Sequence, residues 1–144
     1  AGIYYCHDPN NPVSLNGNVT IYGTLAVDGD LTVSGTNNVI VATKNFPALI
    51  VTGKVIIENG GVLQIIGLAR VGQRIEVSAN AQYLDVNGGM YIANGAIEGL
   101  ASSSISIEIT ANPMIAAIQV WPTAGTPQRW TPATGAFFRS IEQK

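Results

Sequence analysis

The chain has 144 residues, of which 47% are hydrophobic and 11% charged, with seven Lys plus Arg against nine Asp plus Glu and a net charge of −2. That length allows one domain with a real core, the apolar content excludes an unstructured tail, and the charge balance lacks the basic footprint of a nucleic-acid or anionic-membrane binder. One Cys and one His exclude an intrachain disulfide framework, a Cys-only zinc site and paired-His metal motifs, and no apolar run approaches the roughly 18 residues of a membrane span.

Residues 1–14 read as an N-terminal lead-in segment. It carries three exposed-type apolar residues in a row, Ile3, Tyr4 and Tyr5, and two prolines, Pro9 and Pro12. The sequence itself shows no secretory n-region, h-region and cleavage site, and a start at Ala1 is compatible with a removed leader. Cys6-His7 does not make a haem attachment site, because the first cysteine of C-x-x-C-H is missing. As the only histidine, His7 would have to carry any histidine-dependent acyl transfer from this segment, which is a poor position for it. Cys6 is a candidate for an intermolecular disulfide in an oxidising place.

Residues 15–112 carry a repeat. Gly17, Gly23, Gly29 and Gly35 stand six apart, and between them lie the apolar pairs Val19/Ile21, Leu25/Val27 and Leu31/Val33. Alternation at period 2 puts both members of a pair on one face of a short strand, and the glycine turns the chain. Strands this short suit the sides of a coil. Leu15-Asn16-Gly17, Val33-Ser34-Gly35 and Val51-Thr52-Gly53 recur every three such units. A second series, Val19/Ile21, Val39/Val41, Val55/Ile57, Ile75/Val77 and Met90/Ile92, repeats at a similar mean spacing. Stacking at this period, with rungs roughly 4.8 Å apart, predicts a three-sided β-solenoid of about five turns, with the right hand expected. Val33 should then lie beside Val51 on adjacent rungs. A helical reading fails for want of an i, i+3, i+4, i+7 stripe, and a β-sandwich would need longer strands. One turn buries about six apolar side chains at ~1.5–3 kcal/mol each, which does not offset ordering its backbone at ~1–2 kcal/mol per residue. Stacked turns add ladders and cover each other's open faces, so the array is stable where one turn is not.

Within this region Asn45-Phe46-Pro47 reads as a loop leaving the coil, and Ile105 to Ile109 as a last alternating strand. Residues 113–144 form a Pro- and aromatic-rich tail holding Trp121, Trp130, Phe137 and Phe138, expected to pack on the solenoid or on a neighbouring subunit.

Few residues invite chemistry. Glu58 and Glu76 are 18 apart and would stack as facing carboxylates, the equipment of a polysaccharide-cleaving β-helix. Solvated surface charges partly paired with Arg74 are the blander reading and the preferred one. Asp28-Gly29-Asp30 suggests a calcium loop, but calcium wants six to eight oxygens, and a turn explains the tripeptide better. Asn18-Val19-Thr20 fits the N-glycosylation acceptor pattern. The threonines form no Thr-x-Thr array of the ice-binding kind. Trp121 and Trp130 could stack on sugars or anchor the tail.

The stretch around Gly17 to Gly35, NGNVTIYGTLAVDGDLTVSG, resembles the repeats of bacterial polymer-forming β-solenoids, namely bactofilins and the solenoid regions of pilin-like exported proteins. KNFPALIVTGKVIIENGGVLQIIGLARVGQRI is similar in style to the second group, and Ala1-Gly2-Ile3-Tyr4-Tyr5 looks like the segment after their long N-terminal helix. The resemblance spans residues 15–100. The chain departs from it in having no hydrophobic helix of its own and in its aromatic tail. It implies a structural filament or surface role outside the cell, with no catalysis, no metal and no cofactor. Self-association would run through the coil ends and the tail, with Ile3, Tyr4, Tyr5, Trp121, Trp130, Phe137 and Phe138 as the assembly residues. A glycan-binding or polysaccharide-active β-helix is the alternative.

Overall fold

The computed structural model describes residues 1–43 and 46–112. The tail residues Trp121, Trp130, Phe137 and Phe138 lie outside them. Among the described residues twelve strands follow in order: β1 (Gly2–His7), β2 (Val13–Leu15), β3 (Thr20–Asp28), β4 (Leu31–Val33), β5 (Asn38–Val41), β6 (Leu49–Val51), β7 (Val55–Ile57), β8 (Val62–Val71), β9 (Ile75–Val77), β10 (Tyr83–Ile92), β11 (Ile97–Glu98) and β12 (Ser106–Ala111). Every pairing between them is parallel. Parallel neighbours need a crossover, and here the crossover is the coil itself.

The coil is a β-solenoid of about five turns, with three sides. One side is a separate sheet in the order β11-β9-β7-β4-β2. The other two share one sheet, because β3, β8 and β10 each run round a corner. The first part of β3 pairs with β5 and its second part with β6, while β8 pairs with both along its length. Gly23 and Gly88 occupy this corner with φ of 133° and 150°. A Cβ on Gly23 would lie 1.9 Å from the Gly2 carbonyl oxygen, and one on Gly88 2.1 Å from that of Gly67. Glycine is required there because consecutive turns bring backbone against backbone.

Three inward columns make the core. Ile21, Ile40, Ile65, Val86 and Ile109 stack on the first side, with Leu63 beside Leu84. Leu25, Leu49 and Ala69 stack on the second, with Val27, Val51 and Val71 next to them. Leu31, Val55 and Ile75 stack on the third, with Val33, Ile57 and Val77. The residues of the middle turns are almost wholly buried.

The register differs from the expected one. Val33 pairs with Leu15 and Ile57, and Val51 with Val27 and Val71, so Val33 and Val51 lie on different sides. Rung length varies: Val13 pairs 18 residues on with Leu31, but Leu31 pairs 24 on with Val55. The second turn is lengthened at the glycine corner. Two residues separate Tyr22 from Leu25 there, whereas residues 42–48 separate Val41 from Leu49. Phe46 is half exposed and Pro47 buried in this excursion, and the Thr24 hydroxyl donates to the Pro47 carbonyl at 2.6 Å. β5 also turns the opposite way to expectation. Val39 and Val41 face outward, and Asn38 and Ile40 face the core.

The ladder begins before residue 15. β1 lies on β3 from Gly2↔Gly23 to His7↔Asp28, so residues 2–7 form a side of the coil. At the other end β12 covers β10, which agrees with a last strand over Ile105 to Ile109. Among the described residues no helix is long and apolar enough to cross a membrane.

Candidate functional site

Glu58 and Glu76 are not stacked neighbours. Glu76 stacks between Ile56 and Glu98, and Glu58 follows the end of β7 with its amide on the Val33 carbonyl. The expected Glu58–Glu76 stack therefore does not exist, because the true rung step between β7 and β9 is 20 residues rather than 18. Glu76 is instead the centre of an ion-pair cluster. Its Oε1 accepts from Arg74 Nε at 2.7 Å and from Lys54 Nζ at 3.2 Å, and Arg74 Nε also lies 3.0 Å from Glu98 Oε2. Partial burial pushes the Glu76 carboxyl up, but the Arg74 and Lys54 hydrogen bonds and charges outweigh it and hold the group below the ordinary value of 4.5. A carboxylate held ionised in this way is a poor proton donor.

Asp28-Gly29-Asp30 makes a corner of the coil. Asp28 Oδ1 accepts from the Thr52 hydroxyl at 3.0 Å, that hydroxyl accepts from Gly29 N at 2.8 Å, and Asp30 Oδ1 accepts from Lys54 N at 2.8 Å. Both carboxylates bond to the next turn, and the second oxygen of Asp28 faces β1. No group of three or more His, Cys, Asp or Glu residues that could hold a metal ion occurs among the described residues.

His7 and Cys6 point to opposite faces of β1. His7 Nδ1 lies 3.2 Å from Asp28 Oδ2, half exposed, while Cys6 sits over Val27 and packs on the core. Cys6 is free, with its side chain at the open end of an inward column. Asn18 is exposed at φ 55° and accepts from Asn37 Nδ2 at 3.3 Å.

The remaining feature is the pair of coil ends. At the start, Tyr4 stands over buried Leu25 in an inward column and is 47% exposed, with Ile3 and Tyr5 outward at 63% and 66%. Desolvation, followed by the charge of Asp28 and its hydrogen bond at 3.4 Å, raises the Tyr5 hydroxyl above its ordinary value. At the finish, Ile109 stands over buried Val86 and is 49% exposed. Among the described residues both ends of the core are thus apolar and open, and each shows a backbone edge: β1, β2 and Thr20 to Tyr22 at the start, β12, β11 and Met90 to Ile92 at the finish. The sequence pointed to Ile3, Tyr4 and Tyr5. It did not single out Ile109, Met90, Ile92 and Ile97 as end residues, although the strand ending at Ile109 was legible. Placing them at an end needs the true register.

No protein-family description, curated protein or solved structure matches the chain. What defines it is the fold: a parallel β-solenoid with an apolar, unpaired edge at each end of the described residues.

Proposed function

We propose that this protein is a structural subunit that self-associates into an extracellular or cell-surface filament of the pilus-like kind. The observation that carries the reading is that, among the described residues, Tyr4 and Ile109 stand half exposed at the two ends of columns whose inner members are buried. Monomeric solenoids cover such ends with polar caps, and an open strand edge recruits another chain. The resemblance of residues 15–100 to bactofilin and pilin-like solenoids supports the same role, and low charge with Asn-, Ser- and Thr-rich corners suits an exported protein. Concentrated full-length protein should form filaments in negative-stain electron microscopy. A monodisperse monomer at millimolar concentration overturns the proposal.

Glycan binding is the second reading. It is favoured by one outward column of the second side, where Tyr5, Ala26, Ile50, Arg70 and Tyr91 stack and both tyrosines and Arg70 are exposed. An aromatic face beside a guanidinium suits a sugar carboxylate. Binding on a glycan array that is lost in Tyr91→Ala would support it.

A further inference from the structure

We infer that copies join by continuing one another's ladder, the start of one coil stacking in parallel register on the finish of the next. The inference rests on the self-association just proposed and names its interface. Extending each observed column by one rung decides which residues meet. Tyr4 of the incoming copy follows Leu25, Leu49, Ala69 and Met90, so it lands on Met90. By the same columns Cys6 lands on Ile92 and Tyr5 on Tyr91. On the third side Val13 lands on Ile97 and Ser14 on Glu98. On the first side Ile21 lands on Ile109 and Thr20 on Glu108.

The match is chemical as well as geometric. Each of these inward positions meets an apolar partner, which closes the core over Tyr4 and Ile109. Both carboxylates on the finishing edge meet a hydroxyl, and no acid faces an acid. Aromatic Tyr5 comes over aromatic Tyr91. The two ends overlap by two residues of the spiral, so Gly2 and Ile3 of the incoming copy must leave the ladder. Gly2 begins in the glycine-corner column, and Ala111 ends in it, opposite Gly88. Asn112 already donates to the Gly88 carbonyl, so it takes the place of Ile3 and the new pairing starts at Tyr4. An isologous, start-to-start contact would instead pair strands antiparallel, unlike every pairing in the molecule. A heterologous contact that does not close grows into a filament.

Two measurements on the full chain test this. Neighbours in parallel register have Cα atoms close enough for a disulfide, so Ile92→Cys should link through Cys6 of the next copy. Mild oxidation should give a ladder of dimers, trimers and higher multimers on a non-reducing gel, whereas Tyr91→Cys, pointing away from Cys6, should not give that ladder. Thr20→Glu, at an exposed outward position, puts a carboxylate against Glu108. It should lower association at least tenfold in sedimentation velocity, and Thr20→Glu with Glu108→Lys should restore it. If wild-type protein does not associate at all, the structural-subunit reading fails and this interface with it. If it associates but Ile92→Cys gives no ladder and Thr20→Glu has no effect, self-association stands and the axial register is wrong. In that case the finishing edge is covered by another occupant, the chain's own residues 113–144 among them.

Discussion

Asn38 is fully buried in a column with Leu63 and Leu84, where hydrophobicity alone would place a leucine. Its Nδ2 lies 3.1 Å from the carbonyls of Ser34, Gly35 and Val62, and its Oδ1 accepts from Gly17 N at 3.0 Å. One amide thus satisfies a corner on three successive turns. Asn38→Leu should destabilise by about 2–3 kcal/mol despite the added apolar area, since orphaned buried backbone groups cost ~1–3 kcal/mol. Urea denaturation measures it, and a neutral result would mean that water replaces the amide. Glu76 makes a pH prediction. Its carboxyl is lower in the folded chain than its ordinary 4.5, so its contribution is complete above that pH. The contribution is lost as pH falls through the lower, folded value. The effect is small, because the side chains of Glu76 and Arg74 remain 29% and 33% exposed. Wild type minus Glu76→Gln stability, from denaturation at pH 7 and pH 3, should shrink toward acid.

The elements depend on their corners. Gly88 and Gly89 are adjacent in β10, yet they should respond differently to alanine. At Gly88 the new Cβ would lie 2.1 Å from a backbone oxygen at φ 150°, and neither neighbour can yield without moving a rung. At Gly89 it would meet only the Leu68 Cδ2 tip at 2.9 Å, which a rotamer change relieves. Gly88→Ala should cost at least about 2 kcal/mol and Gly89→Ala less than about 1 kcal/mol, read as thermal midpoints. The same corners show what was legible in the sequence. The glycine spacing and the apolar pairs were sufficient to predict a three-sided coil. They could not fix the stacking register, because every side reads Gly-x-apolar-x-apolar, and sliding by one side leaves an equally apolar core. The longer second turn, with seven residues of sequence between Val41 and Leu49, makes that slip and separates Val33 from Val51. Asn38 to Val41 was misassigned for a related reason. Three of those four residues are apolar, so period 2 fits either face, and only the corner carbonyls select Asn38 for the inside. Among the end residues, Ile3, Tyr4 and Tyr5 were visible as unusually apolar, while the matching Met90, Ile92 and Ile97 become end residues only once the register is known.

At the scale of the molecule, stability is a sum of turns and of the interfaces between them. A middle turn has two neighbours. The first has one, and its inward residues Tyr4, Cys6 and Val13 keep part of their surface in water. Local opening should therefore be graded along the axis in an isolated copy, with the β4 and β7 amides opening at the global free energy and those of β1 and β2 well below it. Axial stacking changes this profile in a specific way. A second copy gives the start of the coil its missing neighbour, so association should raise protection there and leave β4 and β7 nearly unchanged until assembly shifts global stability by mass action. Hydrogen exchange at several protein concentrations reads the profile directly. Protection should rise with concentration in β1, β2 and residues 20–22 together, because the three strand edges close at one contact. A rise confined to outward residues such as Tyr91, or steep protection of β1 already present in the monomer, would show that copies meet side by side or that the first turn needs no partner.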